Sequence, residues 1–130
     1  MKIIKIVLIV LVVGVAGFTG WHFFHKAQVR RIPETNLFSL GQVAASQGDY
    51  KKAVEYYTIL LSKDPRHTIA WDFLIDCQEK MGDVQNAIVS SEKLIALDRS
   101  QKYVERLIRL YRQSGQEDRA KALQESLTSH

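Results

Sequence analysis

Cysteine and proline are scarce in this chain of 130 residues, which has one cysteine, Cys77, and two prolines. A lone cysteine excludes an internal disulfide framework and any cysteine-rich zinc site. Seven glycines and two prolines leave no room for a collagen-like period. The balance of 46% hydrophobic to 25% charged residues is that of an ordinary globular chain. The four histidines, His22, His25, His67 and His130, are scattered along the chain. None has a third ligand nearby, so no metal site is expected. No glycine-rich phosphate loop and no catalytic constellation occur, and the expectation is a protein without cofactor, small-molecule substrate or enzymatic activity. Asp72, Asp76 and Glu79 put three carboxylates on one helical face. Calcium needs oxygens from a loop wrapped around it, and a straight helix does not provide that.

Acidic residues are missing from the first 33 positions, which hold Lys2, Lys5, Lys26, Arg30 and Arg31, a net of +5. Residues 34–130 carry 13 Lys and Arg against 14 Asp and Glu, a net of −1. The overall charge of +4 and the pI near 9.3 belong to the N-terminal tail. Nucleic-acid binding therefore loses its main support.

Charge of either sign is absent from residues 6–24. As a helix at ~1.5 Å per residue this stretch spans about 29 Å, matching a hydrocarbon core of ~30 Å. A single-pass N-terminal anchor in a lipid bilayer is expected. Trp21, Phe23 and Phe24, followed by Lys26, stand at its far end as headgroup-level anchors. A cleavable secretory signal is the competing reading, since Lys2 and Lys5 form a basic start and Gly14-Val15-Ala16 offers small residues for cleavage. The apolar run continues past Ala16, which favours the uncleaved anchor. Gly14, Gly17 and Gly20 form a small-residue stripe suited to packing on another membrane helix, although the spacing is not GxxxG. A short tail with two lysines is hard to translocate. The expected orientation puts the N-terminus on the cytoplasmic side of a bacterial inner membrane and the repeat domain on the non-cytoplasmic side.

Past Pro33 a period emerges. Gly48-Asp49 recurs as Gly82-Asp83, and at the same offset of 34 Leu40 meets Leu74, Ala53 meets Ala87 and Leu60 meets Leu94. A third copy at offset 33 brings in Leu107, Gly115, Ala120 and Leu127. An apolar run at helical spacing precedes each glycine, as with Leu37, Leu40, Val43 and Ala44. The glycines fit a helix-ending position of positive φ, and Asp49 and Asp83 fit N-caps of the helix that follows. Ala53, Ala87 and Ala120 are small where the second helix must approach the first. Cys77 points inward by its spacing from Leu74. The expected fold class is all-α: an N-terminal membrane anchor over residues 1–32, then a domain over 33–130 of three helix–turn–helix units, about 34–67, 68–100 and 101–130. Three units are about the minimum that buries a continuous core.

This pattern resembles the tetratricopeptide repeat family. The first copy supplies Leu40-Gly41, Gly48-Asp49-Tyr50, Ala53, Tyr57 and Pro65. The second supplies Trp71, Leu74, Gly82-Asp83 and Ala87, with Ile75 in place of the glycine and Arg99 in place of the proline. The third supplies Leu107, Tyr111, Gly115 and Ala120, one residue out of step. The resemblance implies a solenoid whose first helices line a groove for a protein or peptide partner. It places Phe38 and Gln42 there from the first repeat, Asp72, Asp76 and Glu79 from the second, and Lys102, Arg106, Arg109 and Arg112 from the third. Lys102 and Arg106 match the last two of five members of the family's carboxylate clamp, while Phe38, Gln42 and Phe73 depart from it. The acids either pair with the bases across neighbouring helices or leave them free for a client. Val104, Leu107, Ile108 and Tyr111 already form an apolar stripe, so packing is not expected to need all three of Lys102, Arg106 and Arg109. The functional expectation is a membrane-anchored scaffold that recruits or stabilises a partner in assembly or quality control of a membrane or envelope complex. The alternative is a small integral subunit of a large membrane complex. Self-association is compatible with both.

Overall fold

The computed structural model describes residues 32–128. The anchor expected over residues 6–24 lies outside them, together with Trp21, Phe23, Phe24 and Lys26 and with Gly14, Gly17 and Gly20. Among the described residues no helix is long and apolar enough to cross a membrane. The described residues from Glu34 onward form one compact unit.

Its six helices are α1 (Glu34–Ser46), α2 (Tyr50–Lys63), α3 (Thr68–Lys80), α4 (Val84–Leu97), α5 (Gln101–Gln113) and α6 (Glu117–Thr128). They pair as three hairpins, α1–α2, α3–α4 and α5–α6, and each helix packs on the next in the chain. The hairpin turn is the same device three times. Gly48, Gly82 and Gly115 adopt φ of 79°, 74° and 77°, the left-handed region that only glycine enters freely. Their N–H groups donate three residues back, and the next residue donates five back, as in Asp49 N to Ala44 O at 2.9 Å. This Schellman arrangement satisfies carbonyls that the ending helix would otherwise orphan. In two hairpins the following residue starts the next helix directly. Asp49 Oδ1 accepts from Lys52 N at 3.1 Å, and Asp83 Oδ1 accepts from Asn86 N at 3.3 Å.

Burial follows the repeat. Ala53, Ala87 and Ala120 are fully buried at the close approach within each hairpin, and Cys77 is buried as its spacing implied. One continuous cluster joins the second and third hairpins through Ile75, Ile88, Leu94, Val104, Leu107 and Leu110. In the first hairpin, Leu37, Tyr57 and Leu60 fill the same layer.

Candidate functional site

The first helices of successive hairpins meet through side chains of two different kinds. Between α1 and α3 the contact is aromatic. Phe38 lies edge-on to Phe73 at 5.4 Å, stacks on His67 at 5.5 Å and tilts against Tyr57 at 5.9 Å. His67 is fixed by its own backbone duty, because its Nδ1 accepts from Ala70 N at 3.1 Å and caps α3. Phe38 is therefore half-buried in a ring cluster, while Gln42 beside it on α1 is exposed. The role of His67 was not visible in the sequence, since histidine is a rare cap and its ring partner lies on another helix.

Between α3 and α5 the contact is ionic. Lys102 Nζ donates to Asp72 Oδ2 at 2.9 Å, and Arg109 Nη2 donates to Glu79 Oε1 at 3.0 Å. Arg106 lies between them and engages Asp72, Asp76 and Glu79 together, with Nη1 to Asp72 Oδ1 at 2.6 Å and Nε to Glu79 Oε2 at 2.7 Å. Tyr103 Oη adds a bond to Asp72 Oδ2 at 3.3 Å. The carboxylates hold the Arg106 guanidinium above its ordinary pKa although burial works against the charge. Hydrogen bonding to Asp72 raises that of Lys102. The arrangement is the cross-helix pairing that the sequence allowed. Of the three bases only Arg106 is packed away from solvent, its side chain 10% exposed against 70% for Lys102 and 64% for Arg109. The reason is position. Arg106 points between α3 and α5, where three acids converge, and its donors are committed to them rather than to a terminal carboxylate from outside.

What stays open to solvent along this face is a shallow cleft of about 550 Å³ bordered by Asp76, Glu105, Lys102 and Arg109. Arg112 is exposed in the last turn of α5, and Ile69 is exposed at the start of α3. The face thus runs from an aromatic end near Phe38 to a mixed-charge end near Arg109. Among the described residues no group of His, Cys, Asp and Glu is arranged to hold a metal ion.

A second polar junction has no signature in the sequence. Glu92 on α4 accepts from Tyr111 Oη at 2.8 Å and from Arg119 Nη2 at 2.9 Å, and the Arg119 guanidinium covers the Tyr111 ring at 4.4 Å. Burial and the hydrogen bond to Glu92 push the Tyr111 phenol up to about 12. No short-range pattern joins residues 92, 111 and 119, so only the folded chain brings them together.

Stacked helical hairpins with adjacent first helices define the class of helical-repeat proteins. The sequence pattern of the tetratricopeptide repeat matches residues 35–67, so the first hairpin is such a repeat, and the described residues have the fold that goes with it. Among solved structures the chain is similar to the MamA protein, at TM-score 0.66 and 22% identity over 69% of this chain and 50% of that one. It is also similar to SycD, the type III secretion translocator chaperone of Yersinia enterocolitica, at TM-score 0.60 and 21% identity over 69% of this chain and 68% of that one. The chain thus spans half the length of the MamA chain. Comparison with curated protein sequences finds no match.

Proposed function

We propose that this protein is a membrane-anchored, non-enzymatic scaffold whose repeat domain holds a protein or peptide partner beside a bilayer. Its setting is assembly or quality control of a membrane or envelope complex, with the domain on the non-cytoplasmic side of a bacterial inner membrane. The observation that carries the binding role is the continuous face of first helices. There Gln42 and Ile69 reach solvent, and Asp76, Lys102 and Arg109 do so beside their ion pairs. The fold resemblance to a secretion chaperone supports a protein as the partner. The anchor rests on the uncharged residues 6–24.

Two measurements test the reading. The full-length chain should remain in the membrane pellet after carbonate extraction, and release of a shorter soluble chain would favour the cleaved signal. A photo-crosslinking residue at Gln42 or Ile69 should trap one discrete partner, whereas the same residue at exposed Lys121 on α6 should not. Equal trapping at both places would remove the first-helix face as the site. The alternative, an integral subunit, is favoured by Gly14, Gly17 and Gly20. It requires co-purification with one complex at fixed stoichiometry in mild detergent.

A further inference from the structure

The second helices form two successive grooves, and the repeat makes them directly comparable. The groove of α4 and α6 is bordered by Leu107, Tyr111, Arg119, Ala122 and Ser126. At offset 33 these become Leu74, Gln78, Asn86, Val89 and Lys93, and all five border the groove of α2 and α4. The two sites occupy the same place in consecutive repeats. Their state differs.

The α4–α6 groove is closed by its own side chains. Arg119 reaches across to Glu92, Tyr111 fills the floor and bonds the same carboxylate, and Arg99 Nη2 donates to Ser126 Oγ at 3.2 Å. About 360 Å³ remains. In the α2–α4 groove every one of these closures is missing by substitution. Thr58 stands where Glu92 would accept, Asn86 where Arg119 would reach, Gln78 where Tyr111 would fill, and Pro65 where Arg99 would bridge. Asn86 Nδ2 turns back to Asp83 Oδ2 at 2.7 Å instead of crossing. The space grows to about 640 Å³, and Val89 and Leu97 stay exposed along it.

We propose that the α2–α4 groove is a docking site for an amphipathic helix of a protein partner, one that carries a carboxylate within its apolar face. A helix matches the groove in length, because α4 lines it with Asn86, Val89, Ser90, Lys93 and Leu97, one face along three turns of about 5.4 Å. The carboxylate follows from charge. Lys93 is the only charged side chain along the groove, it has no carboxylate partner among the described residues, and it lies over the Trp71 ring at 5.4 Å. The groove floor also retains Gln78, 8% exposed, whose Oε1 has no hydrogen-bond partner where Tyr111 Oη has Glu92. This site is separate from the first-helix face, and it stands or falls independently of the function proposed there.

The experiment copies the closed groove into the open one. The full-length chain is titrated with a fluorescein-labelled 14-residue Leu/Ala/Lys helix bearing one Glu in its apolar stripe, and with its Gln counterpart. Anisotropy should show the Glu peptide binding about tenfold more tightly, the value of one well-placed charge pair. Lys93→Ser, its residue in the next repeat, should erase that preference. Thr58→Glu with Asn86→Arg installs the bridging pair and should abolish binding of both peptides with unchanged helicity. Should that pair disturb folding, Val89→Arg on the exposed rim serves as the blocking variant. Absence of peptide binding, binding undiminished by either blocking variant, or indifference to the Glu–Gln exchange would overturn the proposal. A homodimer that the blocking variant dissolves would also overturn it, because the occupant would then be a second copy.

Discussion

Gly41 and Tyr57 show how one residue dictates another across a hairpin. A Cβ at Gly41 would lie 2.5 Å from Tyr57 Cε1, and the Tyr57 ring is fully buried between Phe38 and Phe73. The ring has nowhere to retreat. Gly41→Ala should therefore destabilise by about 1–3 kcal/mol in urea melts, despite a helix-propensity gain of about 1 kcal/mol. The second repeat reverses the volumes, with Ile75 at the glycine position and Ser91 at that of Tyr57. Ile75 is fully buried there, which explains its departure from the family pattern. A double-mutant cycle checks the exchange: Gly41→Ile should cost clearly less in a Tyr57→Ser background than alone, and additive costs would refute the shared space. Tyr111 offers a second residue-scale test. Its pKa is raised from the ordinary 10 to about 12, by burial first and the Glu92 bond second. The neutral phenol is favoured in the folded state. Its contribution to stability is complete below pH 10 and is lost as pH rises through about 12. Tyr111→Phe should thus flatten the fall of melting temperature between pH 10 and 12, and an unchanged alkaline limb would show that other groups cause it.

At the scale of helices, starts and stops were legible in the sequence because their chemistry is local. A glycine followed by aspartate encodes a Schellman turn and an N-cap within six residues, and Asp49 and Asp83 perform as that spacing implies. Asp83→Ala should cost about 1 kcal/mol, measurable as a lower urea midpoint with unchanged slope. Ser100 makes no side-chain cap bond to α5, so Ser100→Ala should cost less than Asp83→Ala in the same assay. The fate of Lys102, Arg106 and Arg109 was not legible. Their spacing puts all three on one side of α5 and says nothing of which one meets α3. That depends on the angle and depth at which two helices pack, a property of neither helix alone. The same holds for Phe38, an apparent groove residue that becomes a wall of a ring cluster because Tyr57, His67 and Phe73 converge on it. Helical spacing thus gives the face of α1, α3 or α5 on which a residue lies, while its exposure is set by the neighbouring hairpin.

Taken whole, the repeat domain is a row of three units joined by two unlike first-helix contacts. Aromatic rings join α1 to α3, and an ion network joins α3 to α5. Repeat proteins transmit stability mainly to nearest neighbours, so damage at one junction should stay near it. Arg106 is the place to test this. The three carboxylates it meets are balanced by Lys102, Arg106 and Arg109, and of these only Arg106 is shielded from water. Arg106→Gln leaves one acid uncompensated in a partly buried site. A cost of about 2–4 kcal/mol is expected, between the strong penalty for breaking a buried pair and the weak one for an exposed pair. Lys102→Gln or Arg109→Gln should cost about 0–1 kcal/mol. The location of the damage is more informative than its size. Hydrogen exchange in the Arg106→Gln chain should accelerate in α5 and α6 and at the facing side of α3, while α1 and α2 exchange as in the parent. Uniform acceleration across all six helices would mean that the three hairpins open as one cooperative unit. In that case the two junctions could not be tuned separately, and a partner gripping one end of the row would stabilise the other end equally.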